Sequence, residues 1–223
     1  MSRFLKKVAK KMGAAPGTLI HVGERKIEKA RISLFSYDQA SFTCRDCQSV
    51  DELPDIGAEP ATTAWLNVDG LHDVALIEAI GSRFGIHPLT LEDILQTGQR
   101  PKAELFDAYM YIVLKMIQYD EKDRVLTSEQ ISFVIFPGVL ISFQESIGDV
   151  FSGVRERIQR GKGRIRGHQC DYLAYALIDA IVDHYFVILE KLGQQVESLE
   201  LELTDSPDQI ALRHIHELRH ELI

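Results

Sequence analysis

The sequence predicts an α/β fold, in which an α/β/α sandwich with a mixed, largely antiparallel sheet is followed by long C-terminal helices. Strand patterns rich in Val, Ile, Phe and Tyr open the chain and return after residue 100. Short helical patterns lie between these two groups, and the pattern is helical from Asp149 onward. Strands joined by short turns pair as antiparallel hairpins, whereas helices interleaved with strands cover the faces of a sheet.

The chain has 223 residues, of which 45% are hydrophobic, so it can bury a sizeable core. We divide it into a flexible basic N-terminus over residues 1–15, an α/β/α domain over residues 16–168 and a long helical hairpin over residues 169–223. No helix stop signal precedes Ile223, so we expect the second hairpin helix to be truncated and the natural chain to continue.

Individual elements follow from hydrophobic period and turn residues. Strands are predicted at residues 18–22, 29–37, 63–68, 103–118, 124–136 and 139–144. Helices are predicted at residues 72–84, 149–160 and 169–203, and a further helix begins after Ser206-Pro207, which suit an N-cap and a first turn.

Two adjacent carboxylates, Glu92 and Asp93, lie near the end of another short predicted helix. Pro88 suits its first turn, while Gly98 and Pro101 indicate that the helix has ended. The backbone carbonyls of a last helical turn carry partial negative charge. Carboxylates there are therefore disfavoured by up to about 1 kcal/mol unless a cation lies nearby.

Arg100 and Lys102 could supply that positive charge from the same chain. The alternative is a bound metal ion. Because neighbouring residues of a helix point about 100° apart, Glu92 and Asp93 cannot easily chelate one ion together. A metal ion at this position therefore needs ligands from elsewhere.

The long predicted helix has an acidic face opposite an apolar face. With Asp179 at 0° and a turn of about 100° per residue, Asp183, Glu190 and Glu197 fall within about 40° of it. The opposite face contains Leu173, Leu177, Ile181, Ile188, Leu192 and Leu199. A solvated face opposite a packed face accounts for this pattern. Phe186, on the acidic side, suggests a second contact surface.

The formal net charge of −8 is unevenly distributed. A basic turn between Arg155 and Arg166 precedes a strongly acidic helix, which argues against a nucleic-acid surface and favours metal ions or basic partners. The most apolar run, residues 131–143, is interrupted by Pro137-Gly138, so we predict no membrane span and a soluble fragment.

Three cysteines are too few for a secreted disulfide framework, and we expect a reducing, cytosolic setting. Cys44 and Cys47 have the spacing of half a zinc site, but the sequence contains no second pair to complete it.

His216, Glu217 and His220 match the H-E-x-x-H pattern of zinc hydrolases. Such a site needs a third ligand, and only three residues follow His220. A zinc hydrolase stays as an alternative. It would be favoured if the protein bound one equivalent of zinc tightly and His220→Ala lost it. The sequence contains neither a nucleophile elbow nor a glycine-rich phosphate loop, so we do not expect an enzyme.

Six segments of the chain are collinear with segments of one known family. They are WLNVDGL at 65–71, FGIHPLTLEDIL at 84–95, QRPK at 99–102, YIVLKM at 111–116, SFQESIGDVF at 142–151 and DYLAYALIDA at 171–180. Together they resemble the cytoplasmic domain of CorA-type magnesium channels, over about residues 16–223.

The resemblance implies a homopentamer whose cytoplasmic parts form a funnel at the cytoplasmic face of the inner membrane. Long helices would lead from it into two membrane spans and a Gly-Met-Asn pore loop, all beyond Ile223. The resemblance further implies that Asp93 belongs to a magnesium-sensing site between subunits and that Glu92 and Asp179 contribute to a neighbouring site. The partner aspartate of both sites would lie on a later helix.

We therefore expect the regulatory domain of a divalent-cation channel, with Mg²⁺ as the regulatory ion and other divalent cations as alternatives. Carboxylate oxygens suit hard Mg²⁺, which retains several waters. Mg²⁺ between subunits would favour the closed state. A zinc transporter of the same superfamily is the alternative, and two apolar spans around Gly-Met-Asn in the continuing sequence would favour magnesium.

Overall fold

The computed structural model describes residue 13 and residues 15–55, 62–120 and 125–205. Its strands are β1 (Arg31–Tyr37), β2 (Phe42–Cys47), β3 (Thr63–Asp69), β4 (Lys102–Leu105), β5 (Met110–Asp120), β6 (Val125–Phe136) and β7 (Val139–Gln144). Its α-helices are α1 (Val74–Phe84), α2 (Pro88–Leu95), α3 (Ser152–Arg160) and α4 (Cys170–Asp205). Short 3₁₀ turns occur at Val50–Glu52 and Ile165–Gly167.

The strands form one sheet in the order β2-β1-β3-β7-β6-β5-β4. The central pair, β3 and β7, is parallel, and the other neighbouring pairs are antiparallel. A parallel pair needs a long crossover, which α1, α2 and the hairpins of β4 to β6 supply here. The predicted mixed, largely antiparallel sheet is confirmed.

Both faces of the central strands are buried. Ile80 of α1 and Ile94 of α2 belong to the core on one face of the sheet. Val154 of α3 and Leu177 of α4 belong to the core on the other face. All four side chains are at most 1% exposed. The predicted α/β/α sandwich is therefore confirmed.

Two strand predictions were inaccurate, and one strand was not predicted. Residues 18–22 form no strand and make only one bridge, between Val22 and Gln96, because this segment lies over α2 instead of beside a strand. Residues 103–118 are two strands, β4 and β5, separated by a turn in which the Phe106 amide donates to the Tyr109 carbonyl. Strand β2 was not predicted, because this edge strand is largely exposed and lacks alternating apolar residues.

The expectation that no segment is apolar enough to span a membrane does not hold for helix α4. By length and composition, Cys170–Leu201 is apolar enough to do so. The prediction rested on uninterrupted apolar runs, and the two acids Asp179 and Asp183 interrupt the apolar run of α4. Leu173, Leu177 and Ile181 are nevertheless buried against the sheet, so α4 serves as a core helix of this domain.

Several predictions concern residues outside the described ranges. These are most of the basic N-terminus, the helix after Ser206-Pro207 and the H-E-x-x-H segment at His216 to His220.

Helices α1 and α2 meet at a glycine. A Cβ atom added to Gly81 would lie 2.3 Å from Leu91 Cδ1 and 3.1 Å from Leu91 Cγ. Leu91 is itself buried, so the close approach of the two helices depends on the absence of a side chain at position 81.

We expect Gly81→Ala to destabilise the domain by about 1–3 kcal/mol, because overpacking outweighs the gain in helix propensity. Gly193→Ala on α4 is the matched control, since a Cβ there meets no heavy atom within 4 Å. It should stabilise by up to about 1 kcal/mol. Urea unfolding measures both. Equal stabilisation by the two substitutions would contradict the close packing of α1 on α2.

Candidate metal site at the end of helix α2

Helix α2 begins and ends as its sequence predicts. His87 Nδ1 accepts a hydrogen bond from the Leu89 amide at 3.2 Å, and Pro88 occupies the first turn. At the other end, the Gln96 amide donates to the carbonyls of Glu92 (3.1 Å) and Asp93 (3.2 Å). The acidic pair therefore lies in the last turn of α2, as predicted.

The N-terminal segment crosses α2 and contacts Glu92. The Gly17 amide donates to Glu92 Oε2 at 2.5 Å. Further along, the Val22 amide donates to the Leu95 carbonyl at 2.9 Å, and the Thr97 amide donates to the Val22 carbonyl at 3.2 Å. This segment therefore holds the Glu92 carboxylate against the helix.

The Asp93 carboxylate has different neighbours. Its Oδ1 accepts from Gln99 Nε2 and its Oδ2 from Lys102 Nζ, both at 2.6 Å. Glu92 and Asp93 therefore contact different parts of the chain. The Asp93 side chain is still 24% exposed, so one side of it faces solvent.

Lys102 is one of the two cations that the sequence suggested as local partners of the acidic pair. Its Nζ also lies 2.8 Å from Glu104 Oε1. Burial alone would lower the pKa of Lys102, but hydrogen bonds to Asp93 and Glu104 outweigh burial and raise it. A metal ion at Asp93 therefore has to compete with a charged ammonium group.

A layer of polar side chains lies beneath the end of α2. Gln130, fully buried in β6, donates from Nε2 to the Asp93 carbonyl at 3.0 Å. Lys115, its cross-strand neighbour on β5, donates to the Thr97 carbonyl at 2.9 Å. Sequence analysis did not identify these residues. The available signal was a run of four polar residues, Thr127 to Gln130, in a strand whose second half is mostly apolar.

Two buried carboxylates, Glu129 and Glu145, lie at the same end of the sheet. Glu145 Oε1 accepts from the Gln130 amide at 2.7 Å, and Lys26 Nζ lies 3.2 Å from Glu145 Oε2 and 3.9 Å from Glu129 Oε2. Burial raises the pKa of Glu129 to about 7, against hydrogen bonding by Ser146 and the attraction of Lys26, both of which lower it.

Asp179, the third predicted ligand, is half-buried on α4 and does not join the other two within one copy of the chain. Helix α2 packs on one face of the sheet through Ile94, whereas α4 packs on the opposite face through Leu177 and Ile181. Carboxylates that share one Mg²⁺ must each lie about 2.1 Å from it, which this separation prevents. The three predicted ligands therefore do not form one site within a single copy.

The cysteine pair does not form half a zinc site. Cys44 is exposed and Cys47 is buried, because residues three apart on strand β2 point to opposite faces. In the described ranges, no three His, Cys, Asp or Glu side chains are grouped so that they could hold a metal ion.

Comparison with known proteins identifies similar sequences. A family model described as "CorA-like Mg2+ transporter protein" matches residues 60–223. The chain is 41% identical over 221 residues to the cobalt/magnesium transport protein CorA of Thermotoga maritima. That alignment covers 98% of this chain and 62% of the relative, so the chain spans less than two thirds of the relative's length.

Solved structures with the same fold come from several sources. The soluble domain of CorA from Methanocaldococcus jannaschii has a TM-score of 0.65 at 17% identity, covering 85% of this chain and 71% of that one. The ZntB cytoplasmic domain from Vibrio parahaemolyticus has a TM-score of 0.58 at 16% identity, covering 83% and 70%. At such identities the likeness shows the fold alone.

The raised pKa of Glu129 predicts a pH dependence of stability. The pKa of Glu129 is about 7 in the folded state and 4.5 in the unfolded state, so the folded state binds the proton more tightly. The free energy of unfolding therefore falls as pH rises from about 4.5 to 7. Glu129→Gln cannot titrate. We expect its stability relative to wild type to rise by up to about 3 kcal/mol between pH 4 and pH 8.

Urea unfolding at several pH values measures this difference. Glu156→Gln, on the exposed surface of α3, is the control. Its free energy of unfolding should change with pH in the same way as that of wild type. If the free energy of unfolding of Glu129→Gln also had the pH dependence of wild type, Glu129 would not carry a raised pKa in the folded domain.

Proposed function

The chain belongs to the CorA-like Mg²⁺ transporter family, and we propose that it is the cytoplasmic, Mg²⁺-sensing regulatory domain of a divalent-cation channel. In this proposal the whole protein is a homopentamer in the inner membrane, and the domain itself performs no catalysis. Mg²⁺ bound between subunits favours the closed state.

The observation that carries the proposal is the separation of the acidic residues. Glu92 and Asp93 lie on one outer layer of the sandwich, and Asp179 lies on the other. In a ring of identical copies, opposite sides of the subunit face opposite neighbours. Glu92 and Asp179, which the family resemblance assigns to one site, then meet across the boundary between two copies, and the partner aspartate of Asp93 comes from the later helix.

The chemistry of this boundary suits Mg²⁺. The ion takes one or two carboxylates and keeps several waters, so a partly exposed Asp93 is a suitable first ligand. Binding replaces the Lys102 ammonium by a divalent charge. Lys102 retains Glu104 as a partner when it leaves Asp93. A weak site follows, which suits the sensing of an abundant ion.

Electrostatic repulsion supplies the coupling to gating. Two opposed carboxylates about 4 Å apart repel by roughly 4 kcal/mol at an effective dielectric constant near 20. Moving a two-state gate from 1:99 to 99:1 requires about 5.5 kcal/mol. Several such boundaries in one ring therefore suffice to change the gate when Mg²⁺ leaves.

A related zinc transporter remains the second candidate, since the ZntB cytoplasmic domain has a similar fold. Sequence identity favours the first candidate, because the Thermotoga relative at 41% identity is named for cobalt and magnesium. Membership of a transporter family also favours a non-enzymatic role.

The gating proposal is tested on the full-length natural protein in vesicles. Asp93→Ala should shift the internal Mg²⁺ concentration that half-inhibits ion flux upward by about tenfold, because a ligand has been removed. Asp179→Ala should shift it in the same direction. Glu197→Ala, which removes the same charge about 27 Å along α4 from Asp179, is the control. An unchanged Mg²⁺ dependence in Asp93→Ala would refute the gating role.

Competition between Lys102 and Mg²⁺ gives a second prediction. Lys102→Met removes the ammonium that the ion displaces, so half-inhibition should occur at about fivefold lower Mg²⁺, equivalent to an ion pair of about 1 kcal/mol. Lys29→Met removes a cation on a remote surface, where it contacts Gln48, and should leave the midpoint unchanged. A Lys102→Met midpoint above that of wild type would mean that Lys102 assists metal binding.

A further inference from the structure

We propose that Gln130 is a positioning residue for the Asp93 carboxylate, acting through the last turn of α2 and the turn that follows it. This inference rests on the proposed function for the role of Asp93, and on contacts of the described residues for the role of Gln130. Gln130 contributes no ligand atom to the metal ion.

The Gln130 side chain binds both sides of the turn. Its Nε2 donates to the carbonyls of Asp93 (3.0 Å) and Ile94 (3.4 Å), which are among the last carbonyls of α2. Its Oε1 accepts from the Gln99 amide at 3.1 Å. One buried amide therefore connects the end of the helix to the chain that leaves it.

Gln99 links Gln130 to the Asp93 carboxylate. While its backbone amide is held by Gln130, its side-chain Nε2 donates to Asp93 Oδ1 at 2.6 Å. Gln130 therefore holds the Asp93 main chain directly and the Asp93 carboxylate through Gln99. Movement of either end of the turn changes where the carboxylate oxygen lies.

Gln130 is itself held in place by its surroundings. Gln130 is fully buried, and its own amide donates to Glu145 Oε1 at 2.7 Å. On one side Gln130 pairs with Lys115 of β5. On the other side the pairing of β6 with β7 begins only at Ile131, and the Glu145 carboxylate, one residue beyond β7, accepts the Gln130 amide instead. Lys115 adds a second contact from β5, at the Thr97 carbonyl, where positive charge is favourable after a helix C-terminus.

Only a side chain with both a donor and an acceptor can make these contacts. A glutamate at position 130 would accept from Gln99 but would place negative charge against the helix carbonyls. A methionine has a similar volume and keeps the core filled, but it provides neither hydrogen bond to the turn.

The experiment compares Gln130→Met with two controls in the full-length natural protein. Gln118→Met makes the same substitution on β5, where the side chain donates to the Gly148 carbonyl, remote from α2. Val154→Ala removes buried volume on the opposite face of the sheet and controls for a general loss of stability. The measurements are Mg²⁺ half-inhibition of ion flux and hydrogen exchange of the amides at residues 96–99.

We expect Gln130→Met to raise the Mg²⁺ midpoint by about tenfold, as for lost outer-shell partners of metal ligands, and to accelerate exchange at residues 96–99. Both controls should keep the wild-type midpoint, even where Val154→Ala lowers the unfolding temperature. A wild-type midpoint in Gln130→Met would overturn the positioning role.

The two proposals fail in different ways. If Asp93→Ala leaves the Mg²⁺ response intact, the proposed function fails, and hydrogen exchange alone decides whether Gln130 holds the turn. Exchange at residues 96–99 that is no faster in Gln130→Met than in Val154→Ala overturns the inference whatever the Mg²⁺ response.

Discussion

The structure depends on the burial of both faces of its central strands. All seven residues of β3 and all six residues of β7 are buried. Such strands need an apolar layer on each side, so helices must cover both faces of the sheet. The sheet therefore lies between α2 and α4 and sends the predicted metal ligands to opposite sides of the domain. A site that requires both sides then requires more than one copy.

Two polar residues inside this sheet, Ser142 and Gln130, have defined partners. Ser142 of β7 accepts from the Trp65 indole at 2.8 Å and donates to Asn67 Oδ1 at 2.6 Å. On the other face, Gln130 reaches the end of α2. Buried polar groups are costly when unpaired, so these contacts restrict how the helices can sit on the strands. The same restriction fixes the position of the Asp93 carboxylate.

Sequence reasoning succeeded where the determining interactions are local or strongly periodic. The central strand around Trp65 was predicted to within one residue, and Pro88 located the start of α2. Lys102, nine positions from Asp93, was recognised as a candidate ion-pair partner. Gln130 is 37 positions from Asp93 and Gly17 is 75 from Glu92, and such contacts depend on a topology that no local pattern specifies.

The N-terminal segment has a consequence for how this domain is handled. Since the Gly17 amide holds the Glu92 carboxylate, shortening the chain to begin after position 17 would delete a hydrogen-bond donor from the acidic surface. In the same segment, the Val22 amide donates a hydrogen bond to the Leu95 carbonyl at the end of α2. Removing residues 17–22 is therefore a change to the acidic surface itself, and a form of the chain shortened past them is an altered molecule.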